Sequence, residues 1–364
     1  MDFELLNRAR SFYGRWERPI SSLSLVGGFV FDAIALRRID MFWENFWVVV
    51  HLLIVGVFIV LVNSKRHSVG DEGDPHKAQF WYVNILQFFF GGLLSTYLVF
   101  YFRSADLATS WFFILILALA FWANESLKRR FVRLSFQISL FFLSLYSFAI
   151  FLLPMTLHAI GAKIFILAGV LSLAFVIAFT HAIILLDRER FKKSRKIILF
   201  SIFGIFALIN ILYFTNIIPP IPLSLKDAGA VHSIVKDDVG NYIVSYENYG
   251  WKKYLSLYDN IHIERGAPVY VYSAIFSPTD LNIHVIHRWQ YFDESLDKWV
   301  DKQKTNLALV GGREGGYRTY SMKNSLAEGK WRVSVETVGG QVLGRVRFNI
   351  INISNILPLS RKTL

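Results

Sequence analysis

The segment Gly311-Gly312-Arg313-Glu314-Gly315-Gly316-Tyr317-Arg318 concentrates more potential chemistry than any other part of the chain. Four glycines around a charged pair can gather backbone N–H groups into an anion-binding nest, with Arg313 and Arg318 adding fixed positive charge. The segment lacks the Gly-Lys-Ser/Thr ending of a phosphate loop, which argues against nucleotide binding. The same residues also fit a tight connection in which Arg and Glu pair with each other or cap strand ends. A second candidate is His287-Arg288-Trp289. On a strand, successive side chains point to opposite faces, so His287 and Trp289 share one face while His284, Arg288 and Gln290 share the other. A metal chelate from His284 and His287 is therefore geometrically poor. Trp289 and Trp331 read as core anchors, with Arg288 or Arg332 over a ring or against a carboxylate. Asp293, Glu294, Asp297 and Asp301 form an acidic cluster around a hairpin, either a solvated edge or a weak cation site. His67 with Asp71, Glu72, Asp74 and His76 could hold a divalent metal weakly, or simply form a polar loop. The binding candidates are thus Arg313, Glu314, Tyr317, Arg318, His287, Arg288 and Trp289.

Nothing in the chain assembles a catalytic set by sequence. No His-Glu-x-x-His zinc motif and no Gly-x-Ser-x-Gly nucleophile elbow occurs. There are no cysteines, which removes disulfides, thiolate catalysis and Cys-ligated metals. No cofactor, catalytic residue or metal ligand is implied, and a non-catalytic role is the expectation.

The elements that must position these residues fall into two kinds. From Asp227 onward, alternating runs rich in Val, Ile, Tyr and Trp recur between turn residues. Strands are predicted near Val231–Lys236, Tyr242–Tyr246, Val269–Phe276, Ile283–Phe292, Trp299–Leu309, Tyr317–Met322, Trp331–Thr337 and Val342–Ile350. Turn signals at Asp238–Asn241, Ser277–Asp280, Gly311-Gly312, Glu328-Gly329 and Gly339-Gly340 separate them. Many short strands without intervening helices predict an all-β, immunoglobulin-like sandwich.

Upstream, the composition belongs to a membrane. The chain is 54% hydrophobic and 16% aromatic, with 33 phenylalanines and a mean hydropathy of +0.40. Crossing a hydrocarbon core of about 30 Å takes about 20 helical residues. Uncharged runs of that order are Asn45–Ser64, Ala78–Phe102, Leu107–Asn124, Leu134–Ala162, Ile164–Leu186 and Ile197–Leu225. In hydrocarbon the backbone must satisfy itself, so these are helices. Pro19–Leu36, apolar apart from Asp32, is a seventh candidate. With seven spans the loops divide 17 cations against 4, and with six they divide 13 against 8. Seven fits the positive-inside rule better, and both arrangements put the chain after Pro222 outside the cytoplasm. The N-terminus lacks a short apolar core with a small-residue cleavage site, so no removable signal peptide is expected.

The formal charge is +12, with +8 before Pro219 and +4 after it. Most of the excess lies in membrane loops, and no basic face with interleaved aromatics accompanies it, which excludes nucleic acid as a partner. Polar residues at membrane depth are Asn84, Gln87, Gln137, His181 and Asn210, with Asp32, Glu44, Asp106 and His158 nearer the edges. They fit hydrogen bonding between helices, or a polar cavity if they converge. No mid-bilayer carboxylate marks an ion-coupled transporter.

The words VYVYSAIFSP, HRWQYFD, GGREGGYRTYSMK, GKWRVSVET and GQVLGRVRF between Pro268 and Ile350 resemble the bacterial domain of unknown function 2914. PPIPLSLKDAGAVHS and GGFVFDAIALRRID are similar to its longer, membrane-anchored branch. The resemblance implies an integral membrane protein carrying a small β domain, and it brings no established activity. The expected organisation is a cytoplasmic segment at 1–18, a transmembrane helical domain at 19–218, a proline-rich linker at 219–228, and an extracytoplasmic β-sandwich at 229–364. The expected partners are the bilayer of a bacterial inner membrane and an envelope polysaccharide or protein. A transporter or membrane-embedded enzyme with its active region among the helices is the alternative.

Overall fold

A computed structural model describes residues 26–36, 40–64, 75–186, 188–238, 241–248, 256–278, 281, 283–311, 315–354 and 358–364. The chain divides into two compact units: residues 1–103, 112–156 and 162–215, and residues 104–111, 157–161 and 216–364.

The first unit is helical because its long apolar runs leave the backbone no other way to pair its polar groups in hydrocarbon. Its helices are α1 (Val26–Ala35), α2 (Phe42–Asn63), α3 (Pro75–Ser104), α4 (Leu107–Ser126), α5 (Leu134–Leu157), α6 (Ala162–Leu186) and α7 (Arg188–Phe214). Of these, α2 to α7 are each long and apolar enough to cross a membrane. The shorter α1 covers the C-terminal part of the expected Pro19–Leu36 span, and residues 19–25 lie outside the described residues. Helix α7 departs from the expected Ile197–Leu225: it begins in the charged stretch at Arg188 and stops at Phe214, ahead of Pro219. Long cationic stems can extend along a helix while their heads stay in water, whereas proline cannot continue the helix.

Helices α3 and α5 are central, with 67% and 56% of their spans buried against 22–33% for the others. Tyr97 and Tyr101 on α3 donate to the Ser144 and Ser147 carbonyls on α5 at 2.9 and 3.3 Å. Where α5, α6 and α7 meet, Tyr146 stacks on Phe206, and Gly169 is the residue that lets α6 approach them. A Cβ there would lie 2.8 Å from the Tyr146 hydroxyl. Arg103 at the end of α3 donates to the Ala33 and Leu36 carbonyls, capping α1 with a cation where its dipole is negative. Trp43, Trp47, Trp81, Trp111 and Trp122 are exposed near span ends, as in an aromatic belt.

The second unit is a β-sandwich. One sheet has the order β1 (Ser224–Val231), β5 (Val269–Phe276), β8 (Tyr317–Lys323). The facing sheet runs β4 (Asp259–Ile263), β10 (Val342–Asn352), β9 (Gly329–Thr337), β6 (Ile283–Asp293), β7 (Lys298–Leu309). A small third sheet joins β11 (Ser360–Thr363), β3 (Tyr242–Tyr246) and β2 (Ser233–Lys236). All pairings are antiparallel except β10 with β4. Alternation on β5, β6, β9 and β10 turns Val271, Trp289, Val333 and Phe348 into one core cluster, and Ile275, Val285, Val335 and Leu343 into another. Gly316 (φ +85°), just before β8, is in the left-handed region, and a Cβ there would meet the Ala274 backbone at 2.8 Å.

The expected linker at 219–228 is corrected by these contacts. Leu223 is fully buried in the second cluster and β1 already starts at Ser224, so the strand begins almost directly after the prolines.

Candidate functional site

Strands from all three sheets border a cavity of about 270 Å3. Its walls come from β1 and the following His232, from the end of β3 through Asn248, and from Asp259–Ile261 of β4, together with Tyr272 and Lys362. Glu247 organises it. This residue follows β3 directly, where the strand pairing stops and its carboxylate can turn sideways. That carboxylate accepts from His232 Nε2 at 2.9 Å, from His262 Nδ1 at 2.7 Å, and from the His262 backbone N–H at 2.6 Å. An ionised carboxylate only accepts. Facing an ionised carboxylate, His232 would donate through Nε2 and His262 through Nδ1. Glu247 is only 6% exposed, against 14% and 21% for the histidines. Charge-assisted bonds of this kind are roughly twice as strong as neutral ones. They tie the small sheet, through Glu247, to β4 of the five-stranded sheet.

The opposite wall depends on a glycine. The Tyr272 ring lies over Gly229, where a Cβ would fall 3.0 Å from a ring carbon, so any side chain on β1 at that point would displace the tyrosine. The Tyr272 hydroxyl donates to Asp227 Oδ2 at 3.2 Å, and Lys362 Nζ stands 3.7 Å from the same oxygen. Burial first, and then the Asp227 charge, push the Tyr272 phenol well above its ordinary range. The described lining residues include no Ser, Thr or Cys nucleophile. Among the described residues no cluster of three or more His, Cys, Asp or Glu is placed to hold a metal ion.

A second histidine cluster lies inside the sandwich. His287 is fully buried, with Nε2 2.8 Å from Ser273 Oγ and Nδ1 2.9 Å from Ser321 Oγ. Trp289 Nε1 donates to Ser321 Oγ at 2.9 Å, and Ser273 Oγ lies 3.1 Å from Thr319 Oγ1. Hydroxyls both donate and accept, so they satisfy a neutral ring that has one donor and one acceptor. Burial pushes the His287 imidazole down to about 4.

The residues singled out by sequence do not form one surface. Gly312, Arg313 and Glu314 lie outside the described residues. His287 and Trp289 are sealed in the core, which corrects their assignment to a contact face: alternation on β6 points them inward. Arg288 points outward and meets Asp301 at 2.8 Å and Glu336 at 3.9 Å. That hydrogen bond raises the Arg288 guanidinium and holds the Asp301 carboxyl below its usual range, while desolvation raises Glu336. Arg332 sits over the Trp299 ring at 4.3 Å, where desolvation lowers it. Tyr317 packs half-buried against the second core cluster. Arg318, next along β8, takes the other face and is partly exposed.

The acidic hairpin is a turn device, because Asp293 Oδ1 accepts from the Ser295 hydroxyl and from the Ser295 and Leu296 N–H groups. Those bonds, the Ser295 hydroxyl first, hold its carboxyl below the usual range. His67, Asp71, Glu72 and Asp74 lie outside the described residues. Among the helices, Gln87 bonds Asn124 between α3 and α4, Gln137 bonds Asn63 between α5 and α2, and Asn210 bonds Tyr146 between α7 and α5. His181 is exposed. These groups occupy three separate helix interfaces rather than a shared site.

Sequence reasoning missed the cleft entirely. His232 follows β1, Glu247 follows β3 and His262 lies on β4, far apart in the chain, so their spacing carries no local signal. Asp259–Ile263 reads too polar for a strand, with Asp, Asn and His at three of its five positions.

The class defined by these features is a chain with, among the described residues, six helices apolar enough to span a membrane, consistent with a multi-pass membrane protein, followed by a β-sandwich. Residues 282–350 match the family described as "Protein of unknown function (DUF2914)". No curated protein matches. Among solved structures, an immunoglobulin-like protein from Pseudomonas aeruginosa is 9% identical with a TM-score of 0.21, covering 35% of this chain and 96% of that one. A β-glucosidase from Listeria innocua in complex with isofagomine is 17% identical with a TM-score of 0.18, covering 26% of this chain and 15% of that one. A Pseudomonas fluorescens alkylpurine DNA glycosylase bound to DNA with an abasic site analogue is 9% identical with a TM-score of 0.22, covering 84% and 98%. Scores this low carry no argument, and the sandwich rests on its own strand pairings.

Proposed function

We propose that this protein is a non-catalytic recognition module of the cell envelope, its β-sandwich standing outside the cytoplasm on a helical anchor in the bacterial inner membrane. The observation that carries this reading is the cleft around Glu247, a concave polar site whose central carboxylate is engaged by two imidazoles and a backbone N–H. Pockets that combine shape with a few fixed polar groups are the default binding sites of proteins. The orientation draws support from the loop cations, 17 against 4 with seven spans. An envelope polysaccharide or an envelope protein is the partner class. Arg318, with Arg313 and Glu314 nearby in sequence, would offer a secondary contact beside Tyr317.

The alternative of transport or membrane-embedded catalysis required the polar helix residues to line one cavity. Their distribution over three interfaces favours the anchoring role instead.

The test uses photocrosslinking side chains at Asn248 and at Arg318 of the full-length protein in intact cells, with a C-terminal reporter to establish sidedness. Capture of an envelope component from position 248 is the expected result. A reporter active only in the cytoplasm would defeat the orientation, and capture that never exceeds that of a probe on the β7 edge at Lys304 would defeat the recognition role.

A further inference from the structure

We infer that the outward face of the five-stranded sheet binds the phosphate of an anionic lipid headgroup between Arg332 and Arg347, a site separate from the cleft. The strand register assembles it. Arg332 on β9 stands directly opposite Arg347 on β10, and one row along, Arg288 on β6 and Arg345 on β10 flank Ser334. Lys304 and Lys330 share that face, so among its described residues six cations meet two carboxylates, Asp301 and Glu336. Like charges directly opposite each other weaken a sheet. An anion held between the two guanidiniums removes that repulsion.

The carboxylates of the neighbourhood are engaged elsewhere. Asp301 holds Arg288 at 2.8 Å and Gln290 at 2.7 Å, with Lys304 at 3.8 Å, and Glu336 stands 3.9 Å from Arg288. Asp259 on β4 pairs with the buried Phe348, which turns it to the inner side, where it lines the cleft. Among the described residues neither Arg332 nor Arg347 meets a carboxylate. Both are partly exposed. Arg332 donates to Gln290 Oε1 at 2.6 Å and lies over the Trp299 ring, so its guanidinium is positioned before any ligand arrives. Burial lowers that guanidinium, the charges of Arg345, Arg347 and Arg288 lower it further, and the Tyr258 phenol opposes them.

Geometry selects the anion. Two planar guanidinium forks each offer paired N–H donors, and a tetrahedral phosphate has oxygens enough to meet both at once. A carboxylate has two oxygens and serves one fork. Location selects the carrier. Arg345, on the same face, donates to Asp106 Oδ2 and to Thr109 Oγ1, each at 3.0 Å. Residues 104–111 belong to the same compact unit as the sandwich. Asp106 immediately precedes α4 and Thr109 lies in its first turn, and α4 is long and apolar enough to cross a membrane. Such a helix passes phosphate-bearing headgroups where it enters the bilayer, and basic side chains near that surface are drawn to anionic lipid.

The experiment uses the full-length protein in micelles of an uncharged detergent, with a phosphatidylglycerol analogue that carries a photoactivatable headgroup. Labelling is mapped by peptide, which separates lipid held by the basic loops between helices from lipid held by β9 and β10. Labelling within residues 330–347 is expected, displaced by unlabelled phosphatidylglycerol and not by phosphatidylcholine. It should fall about fivefold in Arg347→Gln and about 25-fold in Arg347→Glu, from the attraction of one basic side chain to an anionic surface. Lys236→Glu on β2 makes the same charge change off this face and should leave labelling unchanged. The thermal midpoint should not fall in Arg347→Glu, because a carboxylate opposite Arg332 replaces repulsion with attraction. Equal labelling of the parent and Arg347→Glu, or equal displacement by phosphatidylcholine, overturns the inference. If inorganic phosphate raises the midpoint of the parent and not of Arg347→Glu, while no lipid labels these strands, the site takes free phosphate and the lipid assignment falls.

Discussion

Two histidine clusters in the same β unit are built from similar parts and come out opposite in character. His287 lies fully buried between sheets, and its partners are the hydroxyls of Ser273 and Ser321. His232 lines an open cleft, and it shares the Glu247 carboxylate with His262 on β4. A sealed site cannot afford a net charge without a counter-charge, so it uses neutral groups that donate and accept in turn. At the cleft, two imidazoles and a backbone N–H share one carboxylate instead. The lesson is that histidine marks neither function nor structure by itself. Its partners and its access to solvent decide.

The strongest test of the sealed cluster is Trp289→Ala, which removes a fully buried indole and its bond to Ser321. A loss of about 3–5 kcal/mol is expected, read by chemical unfolding of the intact protein, and a loss under about 1 kcal/mol would show that the core tolerates the cavity. Acid should separate the clusters next. The His287 ring titrates at about 4 when folded against 6.5 otherwise. Its folded value is depressed, so its contribution is complete above about pH 6.5 and disappears as pH falls toward 4. That separation is worth about 3 kcal/mol at neutral pH. Unfolding measured across this window should show the slope, and His287→Gln should flatten it.

Glu247→Gln is expected to cost less, about 1–2 kcal/mol, since one amide oxygen still accepts while the amide nitrogen faces a donor. Limited proteolysis near Asn248 should quicken accordingly, and an unchanged pattern would mean that the clamp does not hold the walls. In the helical unit, Gln137→Leu removes a bond between α5 and α2 and should cost about 0.6 kcal/mol, near the mean for such pairs. Smallest of all, Arg318→Ala should stay within about 0.5 kcal/mol of the parent in the same assay. A larger loss would reveal a structural partner for that side chain.

Much of the architecture was legible. Tyr242–Tyr246 and Val269–Phe276 coincide with β3 and β5, because alternating β-branched and aromatic residues bounded by turn residues leave little else to form. That His287 and Trp289 share one face, opposite Arg288, also followed from a period of two, but that this face is sealed did not, and both were read as contact candidates. Three strands escaped. β1 sits among Lys, Asp and Gly close to three prolines, and β4 and β11 are edge strands carrying polar residues. Edge positions tolerate such composition because one side faces solvent, so the pattern fades. The start of α7 at Arg188 was hidden for a related reason: charge ends a hydropathy run without ending a helix.

Local pattern by itself determined that apolar runs become helices, that alternating runs become strands, and which side of each strand turns inward. These properties depend on neighbours one to four positions away, where covalent geometry sets the contact. Only the tertiary structure decided that Glu247 would stand between His232 and His262, with Gly229 making room for Tyr272 across the same cavity. Those residues lie on or beside strands that are distant in sequence, and which strands come together depends on packing the whole sandwich core, a property no short window of residues contains.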